Sequence, residues 1–155
     1  RKYIKGLTMT QDASDSALLF DNQICFPLYS AANAMVRVYR PLLKELDVTY
    51  LQYMVLMLLW EQKALNVKEL GKQLRLDSGT LTPLLKRLEL KGLVTRSRSE
   101  ADERVRVITI TKQGLALKVK AKDIPEKLAC KVGLPKPRIK EFNTMCLELL
   151  AFLDD

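Results

Sequence analysis

The side chains in this chain best suited to chemistry are thiols and phenols. Cysteines stand at positions 25, 130 and 146, and histidine is absent. Without histidine there is no imidazole general base, no Ser-His-Asp triad and no His-liganded zinc site. The cysteines are too scattered for a CxxC metal knuckle or redox pair and too few for a secreted disulfide framework. Neither a metal nor a cofactor is therefore expected. A free cysteine on a helix is most often a small buried hydrophobe, and that reading stays open. Two features of Cys25 favour chemistry instead. It falls in the first turns of a helix after Asp21, where the helix dipole and free backbone N–H groups favour a thiolate. Tyr29 follows one turn on, Tyr39 lies farther along the same helix and Tyr50 opens the next. A phenol donates a hydrogen bond to a thiolate without adding a competing charge. Ordinary packing is the alternative for each tyrosine.

A second constellation is cationic. Lys and Arg number 26 against 18 Asp and Glu, a net charge of +8. Such a surplus suits a polyanionic partner, nucleic acid being the commonest for a compact domain, or simply marks a basic protein. On one short helix Ser78, Thr80, Thr82, Lys86 and Arg87 combine small hydrogen-bonding groups with cations. Leu81, Leu84, Leu85 and Leu88 hold its opposite face against a core. Small polar residues at a helix start can enter a major groove while cations farther along reach phosphates. Arg96, Arg98, Arg104 and Arg106 follow on a hairpin of the kind that probes a minor groove. Asp102 is placed to hold the Arg104 guanidinium in a fixed fork. A solvated charged hairpin is the plainer alternative.

These groups need a scaffold, and the pattern supplies one. At 155 residues, with 48% apolar and 28% charged residues, the chain is one ordered domain's worth. Helical spacing runs from Leu18 to Glu45, with Pro27 near its start. Thr49-x-x-Gln52 reads as a capping box opening a helix through Glu61, apolar on nearly every face from Met54 to Leu59 and therefore central. Asn66-x-x-Glu69 caps a helix through Leu74, and Asp77/Ser78 cap another to Lys91, stopped by Gly92. Alternating strands, 93–98 and 104–110, flank the turn Ser99-Glu100-Ala101-Asp102-Glu103. Thr111 caps one helix through Val132, Gly133 and Pro135 end it, and Pro137 opens a last helix through Leu153.

Two close helices followed by a charged hairpin is the order of a winged helix-turn-helix. The fold class is mainly α with a small β wing. Ile139, Phe142, Met145, Leu149, Leu150 and Phe152 exceed what a small domain needs to bury. With the N-terminal helix they suggest a homodimer interface, packing on their own domain being the alternative. Met54–Trp60 is too short to cross a bilayer, and the N-terminus lacks the apolar run of a signal peptide, so a cytoplasmic protein without a membrane partner is expected. Residues 1–17 are expected to form a flexible segment, with residues 1–8, before Met9, an upstream or vector-derived extension.

The runs LDSGTLTPLLKRLELKGLVTR (76–96) and DERVRVITITKQG (102–114) resemble the MarR family of winged-helix regulators. The second carries that family's wing pattern, Asp-x-Arg, a strand, then Leu/Ile-Thr-x-x-Gly. DNQICFPLYSA (21–31) and YRPLLKELDVTYLQYMVLMLLWE (39–61) resemble the organic hydroperoxide resistance repressors within that family. The likeness extends from about Leu18 to the end, with one departure: Pro27 stands where Ala or Leu is expected, which leaves the local helix geometry open.

The resemblance implies a single domain over 18–155, with dimerisation helices in 18–46 and 112–155 and a winged helix-turn-helix in 47–111. It implies an obligate dimer on near-palindromic operator DNA, with Arg104 as a minor-groove arginine, Asp102 its support, and Asp77, Ser78, Thr80, Thr82, Lys86 and Arg87 at the DNA. It implies that Cys25 senses organic hydroperoxides, bonded by Tyr39, Tyr50 and Tyr29 of the partner subunit. Cys130 matches the second cysteine of the two-cysteine class, which captures the oxidised sensor as an intersubunit disulfide; Cys146 matches no such role. The nearest alternative is a MarR-type repressor gated by a reversibly bound phenolic or drug-like ligand, with both cysteines in packing roles. A thiol peroxidase would leave the DNA-contact motifs unexplained, and a pure dimerisation module would leave the basic wing so; no enzyme is expected.

Overall fold

The computed structural model describes residues 16, 18–99 and 101–154. The expected flexible segment lies outside these apart from Ser16, as does Glu100 of the wing turn. The chain divides into two compact units, Arg1–Arg37 and Val38–Asp155.

In the first unit a 3₁₀ turn, Phe20–Asn22, precedes the start of α1 (Cys25–Leu43). The helix therefore opens later than its apolar spacing suggests, and Cys25 is its first residue. Pro27 sits in the first turn, where a missing N–H has no intrahelical partner to lose. The Leu28 N–H still reaches the Ile24 carbonyl, at 3.5 Å.

In the second unit a 3₁₀ turn (Lys44–Leu46) follows α1, and then comes α2 (Tyr50–Gln62). Its capping box is complete: Thr49 Oγ1 accepts from the Gln52 N–H, and Gln52 Oε1 accepts from the Thr49 N–H. The expected central position is observed, since α2 feeds both apolar clusters of this unit. One gathers Val55, Leu56 and Leu59 with Leu70, Leu81, Leu85, Leu88, Val94 and Ile108. The other gathers Tyr53 with Leu43, Leu46, Ala121 and Ile124.

Strand β1 (Ala64–Asn66), three residues too short to show alternation, leads into α3 (Val67–Leu74) and α4 (Ser78–Leu90). Asn66 caps α3 and Asp77 caps α4, as their spacing predicts. Gly92, at φ +69°, takes the left-handed conformation that ends α4. Strands β2 (Val94–Arg98) and β3 (Arg106–Ile110) form the hairpin, and β1 adds to the far edge of β3, giving the antiparallel order β1-β3-β2.

The expected single helix from Thr111 to Val132 is instead two, α5 (Lys112–Ala121) and α6 (Ile124–Val132). Pro125 is the cause: it lacks the N–H that would bond the Ala121 carbonyl, and its ring would collide with that carbonyl. The last helix, α7 (Lys136–Leu153), has no buried residue along its 18 positions. Arg75, closing α3, donates from both Nη atoms to Asp154 at 2.5 and 2.6 Å. No helix among the described residues is long and apolar enough to cross a membrane.

Candidate DNA interface and thiol site

Helix α4 is divided by exposure. Leu81, Leu84, Leu85 and Leu88 are buried, and Ser78, Thr82, Lys86 and Arg87 are exposed. Burial of each leucine contributes about 1.5–3 kcal/mol, fixing which face the helix offers outward. Asp77 and Thr80 are committed to each other: Asp77 Oδ1 accepts from the Thr80 N–H at 2.8 Å, and Thr80 Oγ1 donates to Asp77 Oδ2 at 2.9 Å. Those donors hold the Asp77 carboxyl below the usual range. Both residues are thus the cap that positions the helix start.

The register of the wing explains its charge. Val94 pairs with Ile110, Arg96 with Ile108 and Arg98 with Arg106, so one face changes from core at the root to cation toward the tip. Arg98 and Arg106 face each other directly. An open groove of about 910 Å³ lies between α3, α4 and this face, lined by Ser78, Thr82, Arg96, Arg104 and Arg106 of the expected set. Lys68 and Lys72 of α3 join them. Among the described residues, five cationic side chains therefore line the groove against one carboxylate, Glu89. Lys86 and Arg87 are exposed but do not line it.

One wing residue, Asp102, acts differently from expectation. Asp102 does not fork the Arg104 guanidinium; its Oδ1 accepts from the Arg104 backbone N–H at 2.9 Å, while the Val105 N–H closes the turn onto the Asp102 carbonyl. Among the described residues no ion pair joins those two side chains. A short carboxylate bonds the backbone two residues on more readily than it reaches a long, exposed guanidinium. Arg96 donates from Nε to Glu89 Oε2 at 2.6 Å, tying the wing to α4.

At the thiol site, Cys25 is an exposed free thiol on the first turn of α1, beside the Phe20–Phe26 ring pair, whose centroids lie 4.4 Å apart. Tyr29 is 70% exposed in the same unit. In the other unit the rings of Tyr39 and Tyr50 pack at 4.6 Å, tilted by 39°, and Tyr53 lies 6.0 Å from Tyr39. Burial, with the neighbouring phenols of Tyr50 and Tyr53, raises Tyr39 from 10.0 to about 12. Burial raises Tyr50 and Tyr53 as well. All three phenols keep their protons at neutral pH and can donate. Cys130 is exposed on α6, and Cys146 is half-buried on α7. No group of three or more possible metal-binding side chains occurs among the described residues.

The sequence profile of the transcriptional regulator SarA/Rot family matches residues 37–121. The organic hydroperoxide resistance transcriptional regulator of Bacillus subtilis is 48% identical over 134 residues, 86% of this chain and 89% of that one. The chain belongs to the MarR family of winged-helix transcriptional regulators. As a MarR-family regulator it is a DNA-binding protein and not an enzyme. Two structures of AbfR, from Staphylococcus epidermidis, place it further. Reduced AbfR bound to DNA is 32% identical, with 92% of this chain and 99% of that one covered and a TM-score of 0.72. Disulfide-formed AbfR is 31% identical, with 88% and 96% covered and a TM-score of 0.57.

Sequence reasoning on this MarR-family chain missed the groove cations Lys68 and Lys72 and the Glu89 partner of Arg96. The lysines carry a usable signal, since they stand four apart on one face of α3 and a one-turn repeat of cations can mark a contact ridge. Glu89 carries none, because its partner belongs to a separate element.

Proposed function

We propose that the chain is a dimeric repressor that holds a near-palindromic operator while Cys25 is reduced and releases it when an organic hydroperoxide oxidises that thiol. The observation that carries this reading is the exposed Cys25 on the opening turn of α1, in a chain 48% identical to an organic hydroperoxide resistance regulator. Dimerisation is assigned to 18–46 and 112–155. Support comes from the exposed Phe142, Met145 and Phe152 of a helix with nothing buried, apolar surface that ordinarily marks an interface. DNA contact is assigned to the groove of Ser78, Thr82, Arg96, Arg104 and Arg106, joined by Lys68, Lys72, Lys86 and Arg87. Asp77, Thr80 and Asp102 act as supports that fix the contacting backbone. Phosphates between Arg98 and Arg106 would relieve the repulsion of those opposed cations.

The redox step follows thiol chemistry. The Cys25 thiolate attacks one peroxide oxygen, the O–O bond breaks, and the alkoxide leaves as the alcohol after taking a proton. Sulfur is oxidised to sulfenic acid and the hydroperoxide is reduced. The Cys130 thiol of the partner subunit then attacks that sulfur, forming a disulfide and releasing water. The phenols of Tyr39 and Tyr50, with Tyr29 of the partner subunit, are assigned as donors to the thiolate. A disulfide needs Cα atoms within about 7 Å, so closing it can rearrange the dimer. Two recognition helices must sit about 34 Å apart to read one DNA face. A hundredfold loss of affinity needs only about 2.7 kcal/mol between the two states.

The test uses a fluorescein-labelled duplex selected from a randomised library on the reduced protein. Cumene hydroperoxide is titrated in, beside nonreducing gels of wild type and Cys130→Ser. Release with a covalent dimer that the variant lacks supports the two-cysteine switch. Retained binding with no covalent dimer refutes it and leaves gating by a reversibly bound phenol.

A further inference from the structure

Trp60, the single tryptophan of the chain, is one of three half-buried residues, with Val48 and Leu117, that pack against both apolar clusters of the second unit. Its indole packs against both apolar clusters, the one beneath the wing and the one holding the tyrosines. On one side its ring meets Tyr53 edge-on at 5.9 Å, and Tyr53 in turn lies against Tyr39. On the other, its Nε1–H donates to the Gly114 carbonyl at 2.9 Å, across 54 positions of sequence.

Gly114 lies at the root of the wing. A Cβ there would come within 2.2 Å of the Leu93 carbonyl and 2.6 Å of Ile110 Cδ1, so no slack separates this residue from the wing strands. Thr111 stitches the same point. Its hydroxyl donates to the Gly92 and Leu93 carbonyls and accepts from the Gly114 N–H, while its own N–H bonds Leu93. A close-packed junction of this kind passes displacement on instead of absorbing it.

We propose that Trp60 is a positioning residue that couples the Tyr39–Tyr50–Tyr53 cluster to the wing through its N–H bond to Gly114. This rests on the thiol-sensing reading above. If, as that reading has it, these phenols answer to the state of the thiol, Tyr53 passes the change to the indole, and the indole moves the wing root. Among the half-buried residues shared by both clusters, Val48, Trp60 and Leu117, only tryptophan has a polar atom with which to hold the wing backbone.

The test measures affinity for the selected duplex by the full dimer, before and after cumene hydroperoxide, with Cys25 oxidation followed by mass spectrometry. Trp60→Phe keeps a ring and loses only the donor. It should bind DNA within about threefold of wild type when reduced and oxidise to the same extent, while a hundredfold release falls to about tenfold or less. Tyr53→Leu, which breaks the relay from the other side, should uncouple in the same way and serves if Trp60→Phe folds poorly. A variant that is fully oxidised and releases DNA as wild type does overturns the coupling, as does equal weakening of both redox states, which a purely structural role would give. If wild type itself keeps its DNA after Cys25 is oxidised, the thiol-sensing reading fails and the coupling falls with it. If wild type responds and the variants also respond in full, only the coupling fails.

Discussion

Replacing Gly114 by alanine sets two effects of opposite sign against each other. Gly114 is the third residue of α5 and has no positive φ, so helix propensity alone predicts a gain of up to about 1 kcal/mol. Against this stands the 2.2 Å approach of an added Cβ to the Leu93 carbonyl. Relief to ordinary van der Waals separation requires that carbonyl to retreat by roughly 1 Å, and it is pinned by the Thr111 N–H and hydroxyl, both at 3.1 Å. Overpacking costs about 1–3 kcal/mol, and each strained hydrogen bond adds about 1 kcal/mol. The clash wins by about 3 kcal/mol net, which for a chain of this length lowers the melting temperature by about 6–12 °C. Thermal unfolding followed by circular dichroism at matched protein concentration measures it. Gly133→Ala is the contrast: its φ of +68° is strained for alanine but nothing lies within 4 Å, so about 1 kcal/mol is expected. A Gly114→Ala protein that melts at or above the wild-type temperature refutes the close-packed wing root.

Arg104→Ala and Arg106→Ala should each weaken binding and flatten the slope of log affinity against log salt by about 0.9 for every phosphate left without its cation, measured by anisotropy on the selected duplex. Glu89→Gln removes the one carboxylate that lines the groove among the described residues and the tether of Arg96. Binding to random duplex should tighten while the ratio of selected to random affinity falls, and an unchanged ratio would refute a positioning role for the pair. Tyr39 favours its neutral form in the folded state, so the stability this contributes is complete below pH 10.0 and is lost as pH rises toward about 12. After discounting for its half-exposure the effect is about 1 kcal/mol, and Tyr39→Phe should flatten alkaline unfolding over that window.

What the sequence made legible was local. Thr49, Asn66, Asp77 and Thr111 each cap the backbone N–H three residues on, a spacing visible in a string of letters. The apolar α2 announced its own burial, and the alternating hairpin announced the wing. What stayed hidden depended on distant partners. β1 is a strand only because β3 offers it an edge, with Leu65 opposite Ile108. Asp102 sits beside Arg104 in sequence, yet the turn gave its carboxylate a backbone N–H in place of the guanidinium. The break before Ile124 was readable in Pro125, which the reading from the Thr111 cap to the Gly133 stop passed over. The family pattern Ile110-Thr111-x-x-Gly114 was recognisable as a motif. Its reason, a hydroxyl clamp and a glycine without room for a methyl, required the packing.

The clamp at Thr111 also makes the hairpin a lever. Its pivot is fixed by bonds to Gly92 and Leu93, and its arm is a strand of five residues, about 17 Å at 3.4 Å per residue. Rotation of the pivot by about 10° would carry the tip by about 3 Å, a whole hydrogen-bond length. Arg104 rides beyond the end of that arm, so the farthest arginine amplifies the smallest tilt. A hairpin built this way can swing its charged tip while the core scarcely moves.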